Sequence, residues 1–419
     1  MINYNTIIGT NQKEDYYLKF EDRLKNSICI GSLASGKYSQ LIKPMINQDI
    51  LNKNISVILF DSDNNISKDV YNLCKFHDKE VVVFDPTVIN NTIKFNPLKG
   101  NNEICKKVLL DGLKTECELN NTDFDFEFYN KLIENSIYIL KEVYGENSNL
   151  LDLYYLISNQ SNNGSKIITT FLKNNISIDN LNTGIEIANW FTNSYYIDLK
   201  EYSKSILLRA KLEKLLTNKF SKNALVLDRN CNDIVDLESI IKGKQSLLIN
   251  TNKEEFDIFT TNMLFSYIAT TLNQSSFLNK EDNVALYLQE PQNLLLGNIH
   301  LILKEETTAN LATMIMIENI EDLDLSSRDT SIKNYTLNNC LNNFVFPTVS
   351  KETAKYYLSL LGDNQYKEIE CINNIRFMKF GEMLFIQNKE NTYCKKLRIK
   401  YIDRFLDDYL KEHYNDYIY

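Results

Sequence analysis

Apolar runs and helical segments alternate along the first hundred residues. Three short runs are apolar at most positions and rich in β-branched residues: 27–31 (SICIG), 55–61 (ISVILFD) and 80–85 (EVVVFD). The segments 37–54 and 67–78 between them carry apolar residues at helical spacing. Strands without polar alternation are typical of a parallel sheet that helices cover on both faces. The pattern therefore predicts an α/β fold with a mainly parallel central sheet.

The pattern changes between residues 103 and 240, where long helical segments dominate. Segments 126–145 and 202–220 are the clearest of them, and no run in this region is convincing as a strand. We therefore expect an all-α domain at 103–240. It would be inserted into an α/β domain whose two parts are 1–102 and 241–419.

Strand-like runs return after the helical region. They lie at 245–250, 283–290, 312–319 and 342–348. The segments 377–388 and 394–402 resemble a β-hairpin at the edge of the sheet, and a charged, tyrosine-rich helix is expected at 403–419. These runs supply the strands that complete the predicted sheet.

Composition and charge narrow the classes of function. Lysine and arginine total 46 against 55 aspartates and glutamates, and the net charge of −9 argues against a protein that coats nucleic acid without specificity. The eight cysteines form no C-x-x-C pair and the three histidines lie far apart, so neither a zinc site nor a disulfide framework is predicted. The opening residues lack the apolar core of a signal peptide, and no stretch approaches the ~18 apolar residues of a membrane helix. We therefore expect a cytoplasmic protein without a transmembrane segment.

A glycine-containing turn follows the first predicted strand. Residues 31–38 (GSLASGKY) meet the phosphate-loop pattern G-x-x-x-x-G-K-[ST] except at Tyr38. In such a loop Gly31, Ser35 and Gly36 form a backbone cradle for phosphate oxygens, and Lys37 reaches the β- and γ-phosphates. The other interpretation is an ordinary turn that contains glycine. The strand before and the helix after the turn favour a phosphate-binding loop.

The residue after the lysine bears on metal binding. Tyr38 stands where a serine or threonine hydroxyl normally ligates Mg²⁺, and a phenol on a rigid ring cannot occupy the same place. Ser39 would replace that hydroxyl only if the helix register shifted. We therefore include Tyr38 and Ser39 among the nucleotide-binding candidates and expect a weakened Mg²⁺ site.

A second candidate site lies at the end of the run 283–290. P-loop ATPases carry an acidic residue there that helps to hold Mg²⁺, often followed by a glutamate that polarises the attacking water. Here Gln289 occupies the first position and Glu290 the second. Glu290 is thus a catalytic candidate, while Gln289 brings no charge to a metal. The alternative is a buried strand that simply ends at a polar loop.

In order and spacing these motifs resemble the cytosolic part of the type IV secretion coupling proteins, the TraG/TraD-type ATPases of conjugation. The resemblance covers almost the whole chain, including an all-α domain in the same place. Glu290, Asn293 and Leu294 match the family's Asp-Glu-x-x-Asn-Leu-Gly run. Similar motifs also lie at 58–64 (ILFDSDN), 81–86 (VVVFDP), 94–98 (KFNPL), 316–323 (MIENIEDL) and 352–364 (ETAKYYLSLLGDN).

Departures from the family pattern are concentrated at catalytic positions. Tyr38 replaces a threonine or serine, Gln289 an aspartate and Asp63 a lysine. Glu318 and Asp322 replace two sensing glutamines, so that the Glu318 carboxylate, our second catalytic candidate, would face a triphosphate. Two like charges 4 Å apart repel by roughly 4 kcal/mol at an effective dielectric constant of 20. Because the departures lie at catalytic positions, we expect them to impair nucleotide hydrolysis more than folding.

The resemblance implies a RecA-like P-loop domain that binds ATP. It also implies that the partners are proteins of a conjugative or secretion machinery and DNA or a relaxase–DNA complex. Family members form hexameric rings, so a homo- or hetero-oligomer is expected, placed in the cytoplasm or peripherally at the inner face of the membrane.

Three functional hypotheses follow. The chain is a working coupling ATPase, or a degenerate pseudo-ATPase that acts as a scaffold or regulatory partner in the same system, or another RecA-like DNA-pumping ATPase.

Overall fold

The computed structural model describes most of the chain as two compact units. The described residues are 5–11, 14–62, 65–88, 93–120, 122–174, 181–251, 257–291, 294, 298–303, 307–324, 331–348, 350–360, 368–388 and 393–398. Asp63, Asn293 and the helix expected at 403–419 lie outside them. The α/β unit comprises Met1–Phe84, Asp236–Asn252 and Leu272–Tyr419, and the all-α unit comprises Asp85–Val235 and Lys253–Thr271.

One 11-stranded sheet forms the frame of the α/β unit. Its strands are β1 (Asn5–Asn11), β2 (Glu14–Lys19), β3 (Ser27–Ile30), β4 (Ile55–Asp61), β5 (Val81–Phe84), β6 (Ser246–Asn250), β7 (Asn283–Gln289), β8 (Asn310–Ile317), β9 (Asn342–Val345), β10 (Glu382–Gln387) and β11 (Tyr393–Arg398). Their order across the sheet is β2-β1-β11-β10-β9-β3-β8-β7-β4-β6-β5. The strands from β9 to β5 are parallel, and the other four are antiparallel at one edge. The predicted α/β fold with a mainly parallel sheet is confirmed.

The parallel strands are the apolar runs of the sequence. β4, β6 and β9 are buried at every position, because neighbouring layers cover both faces of the sheet. The chain passes from β3 to β4, yet β8 and β7 lie between these two strands in the sheet. Such a change in strand order opens a crevice outside the carboxyl ends of the strands, which is where open α/β sheets bind ligands.

Helices of the α/β unit pack on this sheet. Met45 and Val70 are fully buried in one apolar cluster with Leu59, Tyr287 and Phe344 from the strands. No helix in the described part of the chain has the length and apolar character needed to cross a membrane. The helices are α1 (Phe20–Arg23), α2 (Lys43–Leu51), α3 (Asn65–Phe76), α12 (Leu237–Lys242), α14 (Ile299–Ile302), α15 (Ser331–Asn339), α16 (Lys351–Leu360) and α17 (Glu368–Arg376), with a π-helical turn at Lys37–Ile42 and a 3₁₀ turn at Ile320–Leu323.

A buried ion pair ties α1 to α2 beneath the sheet. The Arg23 guanidinium donates to both carboxylate oxygens of Asp49, at 2.6 and 2.7 Å. The Tyr287 hydroxyl donates to Asp49 Oδ2 at 2.6 Å, and Arg23 also donates to Thr6 Oγ1 at 3.0 Å. Because both charges are removed from water, each needs the other and these additional bonds.

The all-α unit is made of helices and short connections. Its helices are α4 (Asn102–Leu119), α5 (Phe126–Tyr144), α6 (Leu150–Ser158), α7 (Asn163–Lys173), α8 (Leu181–Trp190), α9 (Leu199–Lys204), α10 (Ile206–Thr217), α11 (Lys219–Ala224) and residues 258–271 of α13 (Ile258–Gln274). Single-turn helices lie at Gly145–Asn147, Gln160–Asn162 and Phe191–Tyr195. Among its described residues, β-structure is limited to bridges of Lys94 with Ile234 and Phe95 with Leu225.

The bounds of the all-α unit differ from 103–240. It begins at Asp85 and gains 253–271 from beyond the predicted end. Polar contacts fasten this later segment: Ser266 donates to Asp111 of α4 at 2.6 Å, and Lys214 of α10 donates to Asp257 at 2.8 Å. Sequence patterning detects helices but not the neighbour against which a helix packs.

Candidate functional site

The loop after β3 lies at the carboxyl edge of the sheet. The Gly31 N–H donates to the Ile317 carbonyl of β8 at 3.3 Å, and the Ser32 N–H donates to the Pro347 carbonyl at 3.1 Å. Both bonds join the start of the loop to the chain leaving a neighbouring strand. The loop is therefore fixed above the ends of β8 and β9.

Two glycines allow the loop to close. A β-carbon added to Gly31 would lie 2.5 Å from Phe346 Cβ and 2.7 Å from Ser35 Oγ, so only glycine fits there. Gly36 has φ of +89°, a conformation that favours glycine. Ser35 is 6% exposed, and no described residue forms a hydrogen bond with its Oγ. A buried hydroxyl of this kind is explained if a bound ligand accepts from it.

The Lys37 side chain folds back over this loop. Its Nζ donates to the Gly31 carbonyl at 2.6 Å and to the Ile317 carbonyl at 3.2 Å. These contacts place a cation above the ends of β3 and β8, beside the loop amides. An anion in the loop would meet both kinds of donor.

The helix after the loop begins with a π-helical turn over Lys37–Ile42. The Lys43 N–H donates to the carbonyl of Tyr38, so each turn holds more residues here than in an α-helix. The Tyr38 hydroxyl donates to Asp69 Oδ2 of α3 at 3.1 Å, and Lys43 pairs with the same oxygen at 3.1 Å. Tyr38 thus binds a neighbouring helix through its hydroxyl, while Ser39 is among the residues that line the cavity described below.

The end of β7 carries the predicted Gln289 and Glu290. The Glu290 N–H donates to the Met316 carbonyl at 2.9 Å, which holds the position beside β8. Its φ is +42°, in the left-handed region, a conformation that costs a non-glycine residue about 1–2 kcal/mol. Backbone strain of this kind collects at functional sites.

At the end of β8, Glu318 and Asp322 take different positions. The Asp322 carboxylate accepts the N–H groups of Glu318 and Asn319 at 3.1 and 2.8 Å, so it caps the 3₁₀ turn at Ile320–Leu323. Glu321 in the same turn accepts the Thr353 hydroxyl at 2.8 Å. Asp322 therefore serves the local fold, whereas Glu318 faces the cavity.

One cavity of about 420 Å³ unites these elements, a volume in the range of small-molecule sites. Of the residues expected from the sequence, Gly31 lies at the base of the loop. The other eight line the cavity: Ser35, Gly36, Lys37, Tyr38, Ser39, Gln289, Glu290 and Glu318. Sequence reasoning missed the apolar part of the lining, which includes Ile66 of α3, Met316 of β8 and Phe380 before β10.

Two of the candidate positions differ from the usual Mg²⁺ arrangement. The Tyr38 hydroxyl is bonded to Asp69, and Gln289 has no charge. Among the described residues, no group of three histidine, cysteine, aspartate or glutamate side chains could hold a metal ion. Among the described lining residues, Lys37 is the one cation, against the carboxylates of Glu290 and Glu318.

No family model matches the sequence, and no curated protein does. Solved structures do match it. The fold is similar to that of the plasmid coupling protein TrwB. TrwB in complex with a non-hydrolysable ATP analogue is 13% identical, with 96% of this chain and 90% of that chain covered and a TM-score of 0.61. TrwB in complex with ADP and Mg²⁺ is 12% identical, with 92% and 88% covered and a TM-score of 0.62.

The fold is shared with a second solved structure. VirB4 of Thermoanaerobacter pseudethanolicus is 12% identical, with 97% of this chain and 99% of that chain covered and a TM-score of 0.60. At such identities the likeness establishes the fold. It confirms the RecA-like fold expected from the motifs, and the resemblance to the coupling proteins holds for TrwB at this level.

Proposed function

We propose that this TrwB-like chain binds a nucleoside triphosphate in the cavity between the phosphate loop and the ends of β7 and β8. The observation that carries the proposal is the loop itself. It combines a cradle in which only glycine fits at Gly31, the buried Ser35 hydroxyl and the Lys37 ammonium. These are donors around one point, which is what a phosphate requires.

The cavity residues have distinct proposed roles. The amides of the loop, with Gly36 at its bend, hold the phosphates, and Lys37 exchanges its carbonyl contacts for the β- and γ-phosphates. Ser39, which lies within the π-helical turn, lines the same cavity and would offer its hydroxyl to the nucleotide. Gln289 contacts the nucleotide as a neutral hydrogen-bonding group, and Glu290 is positioned to orient water.

Within the cell the proposed role is that of a coupling-protein-like component of a conjugative or type IV secretion system. It would recruit or drive a DNA–protein substrate, with proteins of the transfer machinery, DNA or a relaxase–DNA complex as partners. The proposal rests on the fold shared with TrwB and on the order of the family-like motifs. Assembly into a homo- or hetero-oligomeric ring belongs to the same proposal.

A second candidate is a pseudo-ATPase that binds nucleotide and acts as a scaffold or regulatory partner. The bond from the Tyr38 hydroxyl to Asp69 favours it, because that hydroxyl is held by another helix. The neutral Gln289 and the Glu318 carboxylate in the lining favour it as well. We therefore expect nucleotide binding with slow hydrolysis. The fold shared with VirB4 keeps a third candidate, another RecA-like ATPase that moves DNA.

Calorimetry with ATP tests the binding proposal. Lys37→Ala should weaken ATP binding by at least about tenfold, or 1.4 kcal/mol, through the loss of one charged contact. Lys53→Ala is the matched control. Lys53 is exposed in the turn before β4, at the opposite edge of the sheet, and should leave affinity unchanged. Equal affinities for ATP in the wild type and Lys37→Ala would overturn the proposal.

An ATPase assay separates the two leading candidates. If the chain is a pseudo-ATPase scaffold, the wild-type protein should release little more phosphate from ATP than Lys37→Ala does. Robust Mg²⁺-dependent turnover that Lys37→Ala abolishes would instead establish a working motor.

A further inference from the structure

Phe380 is an exposed aromatic residue beside the phosphate loop. It lies in the turn between α17 and β10, which the Glu382 N–H closes by donating to the Lys379 carbonyl at 2.9 Å. Phe380 lines the cavity, and 64% of its surface is exposed. Leaving an aromatic ring in water costs the hydrophobic free energy that burial would supply. Phe380 is not among the described residues of the buried apolar cluster.

The ring is in direct reach of the loop. A β-carbon added to Gly36 would lie 3.1 Å from Phe380 Cε2. One edge of the phenyl group therefore lies beside Gly36, where the phosphate cradle closes. The remainder of the ring is open to the cavity and to solvent.

The cavity divides into two kinds of surface. Loop amides, the buried Ser35 hydroxyl and Lys37 offer donors to an anion. Leu33, which is 82% exposed, and Phe380 offer apolar surface at the same opening, with Ile42, Ile66 and Met316 among the lining residues. A ligand that joins a flat aromatic group to a phosphate chain matches both surfaces.

We propose that Phe380 is the residue on which the nucleotide base stacks. This inference rests on the proposed nucleotide function and adds its base-binding element. Base–aromatic stacking uses the π-face that every base has, so it gives affinity without strong selection among bases. We accordingly expect ATP and GTP to bind with similar affinity.

The test compares ATP, GTP and inorganic tripolyphosphate by calorimetry with the full chain. Phe380→Ala should weaken ATP and GTP binding by about tenfold, equal to about 1.4 kcal/mol. It should leave tripolyphosphate binding unchanged, because that ligand has no base. Phe380→Tyr keeps a stacking ring and should retain the wild-type affinity within about twofold.

Phe377 provides the matched control. It precedes Phe380 by three residues, is 71% exposed and is not among the residues that line the cavity. Phe377→Ala should leave the binding of all three ligands unchanged. Unfolding midpoints from circular dichroism should agree among the variants, since neither ring is buried.

Three results would overturn the inference. The first is unchanged ATP affinity in Phe380→Ala while Lys37→Ala abolishes tripolyphosphate binding, which leaves the nucleotide function standing. The second is a molar mass of ligand-free Phe380→Ala that differs from that of the ligand-free wild type in light scattering. That result would assign the ring to a contact between chains. The third is a wild-type protein that binds neither ATP nor tripolyphosphate, in which case the proposed function fails too.

Discussion

Replacing Asp49 by asparagine tests how the first two helices are held to the sheet. Asp49 is fully buried and Arg23 is 3% exposed, so both charges lie away from water. Asp49→Asn keeps the volume but removes the charge that accepts from both guanidinium nitrogens and from the Tyr287 hydroxyl. The guanidinium would remain buried and lose the counter-charge that Asp49 supplies. Removing one partner of such a pair costs about 3–5 kcal/mol.

Urea denaturation followed by far-UV circular dichroism measures this loss. The control is Asp22→Asn, because Asp22 pairs with Lys25 at 3.4 Å near the surface, with 27% and 46% of the side chains exposed. A surface pair of this kind contributes less than about 1 kcal/mol. The double variant Arg23→Leu with Asp49→Leu leaves no buried charge. It should therefore lose less stability than Asp49→Asn alone.

Two outcomes would refute the reasoning. One is a loss below about 1 kcal/mol in Asp49→Asn, which would mean that water reaches the guanidinium. The other is a double variant that unfolds as easily as the single one, which would show that packing and not charge dominates the site.

The remaining predictions concern the cavity. Gly31→Ala places a β-carbon 2.5 Å from Phe346 Cβ, so it should lower the free energy of unfolding by about 1–3 kcal/mol and weaken ATP binding in calorimetry. An unchanged free energy of unfolding together with an unchanged ATP affinity would contradict the predicted crowding. Tyr38→Thr combined with Gln289→Asp restores a small hydroxyl and a charge, so ATP should bind more tightly with Mg²⁺ than with EDTA; no gain from Mg²⁺ would mean that the π-helical turn keeps the hydroxyl out of place. Glu318→Gln removes a carboxylate from the lining and should tighten ATP binding several-fold relative to the wild type, most at low salt. An equal affinity of the variant and the wild type at both 50 and 500 mM salt would show that Glu318 lies too far from the phosphates.

The parallel part of the sheet could be predicted because its strands are buried on both faces. β4 and β6 are apolar runs of seven and five residues. Runs of this length are typical of buried strands, because helices are usually longer. β1 and β2 were missed, because they contain many polar residues and lie in the antiparallel part of the sheet, where few of their positions are fully buried. β1 pairs with β11 at Thr10 and Arg398, a contact between the two ends of the chain that no local pattern reveals.

The cavity divides in the same way. The loop around Lys37 could be predicted because phosphate cradles need glycine at fixed spacing after a strand. The direction of Tyr38 could not, since it depends on a π-helical turn and on Asp69 of another helix. Phe380 belongs to no recognised motif. It is far from Gly36 in the sequence and lies beside it only in the folded α/β unit.

The cavity matches the coupling-protein pattern at some positions and departs from it at others, and this difference has a physical explanation. Gly31, Gly36 and Lys37 hold the loop together even without a ligand, because Lys37 bonds to the carbonyls at the ends of β3 and β8. Losing them would therefore disturb the sheet edge as well as binding. A metal-binding hydroxyl and an aspartate at the end of β7 do not have this second use, so Tyr38 can contact Asp69 and Gln289 can stand in the lining at little cost to the fold. If the chain binds nucleotide without fast hydrolysis, as we propose for the pseudo-ATPase candidate, its phosphate loop would still serve the fold, whereas metal ligands would have no second use.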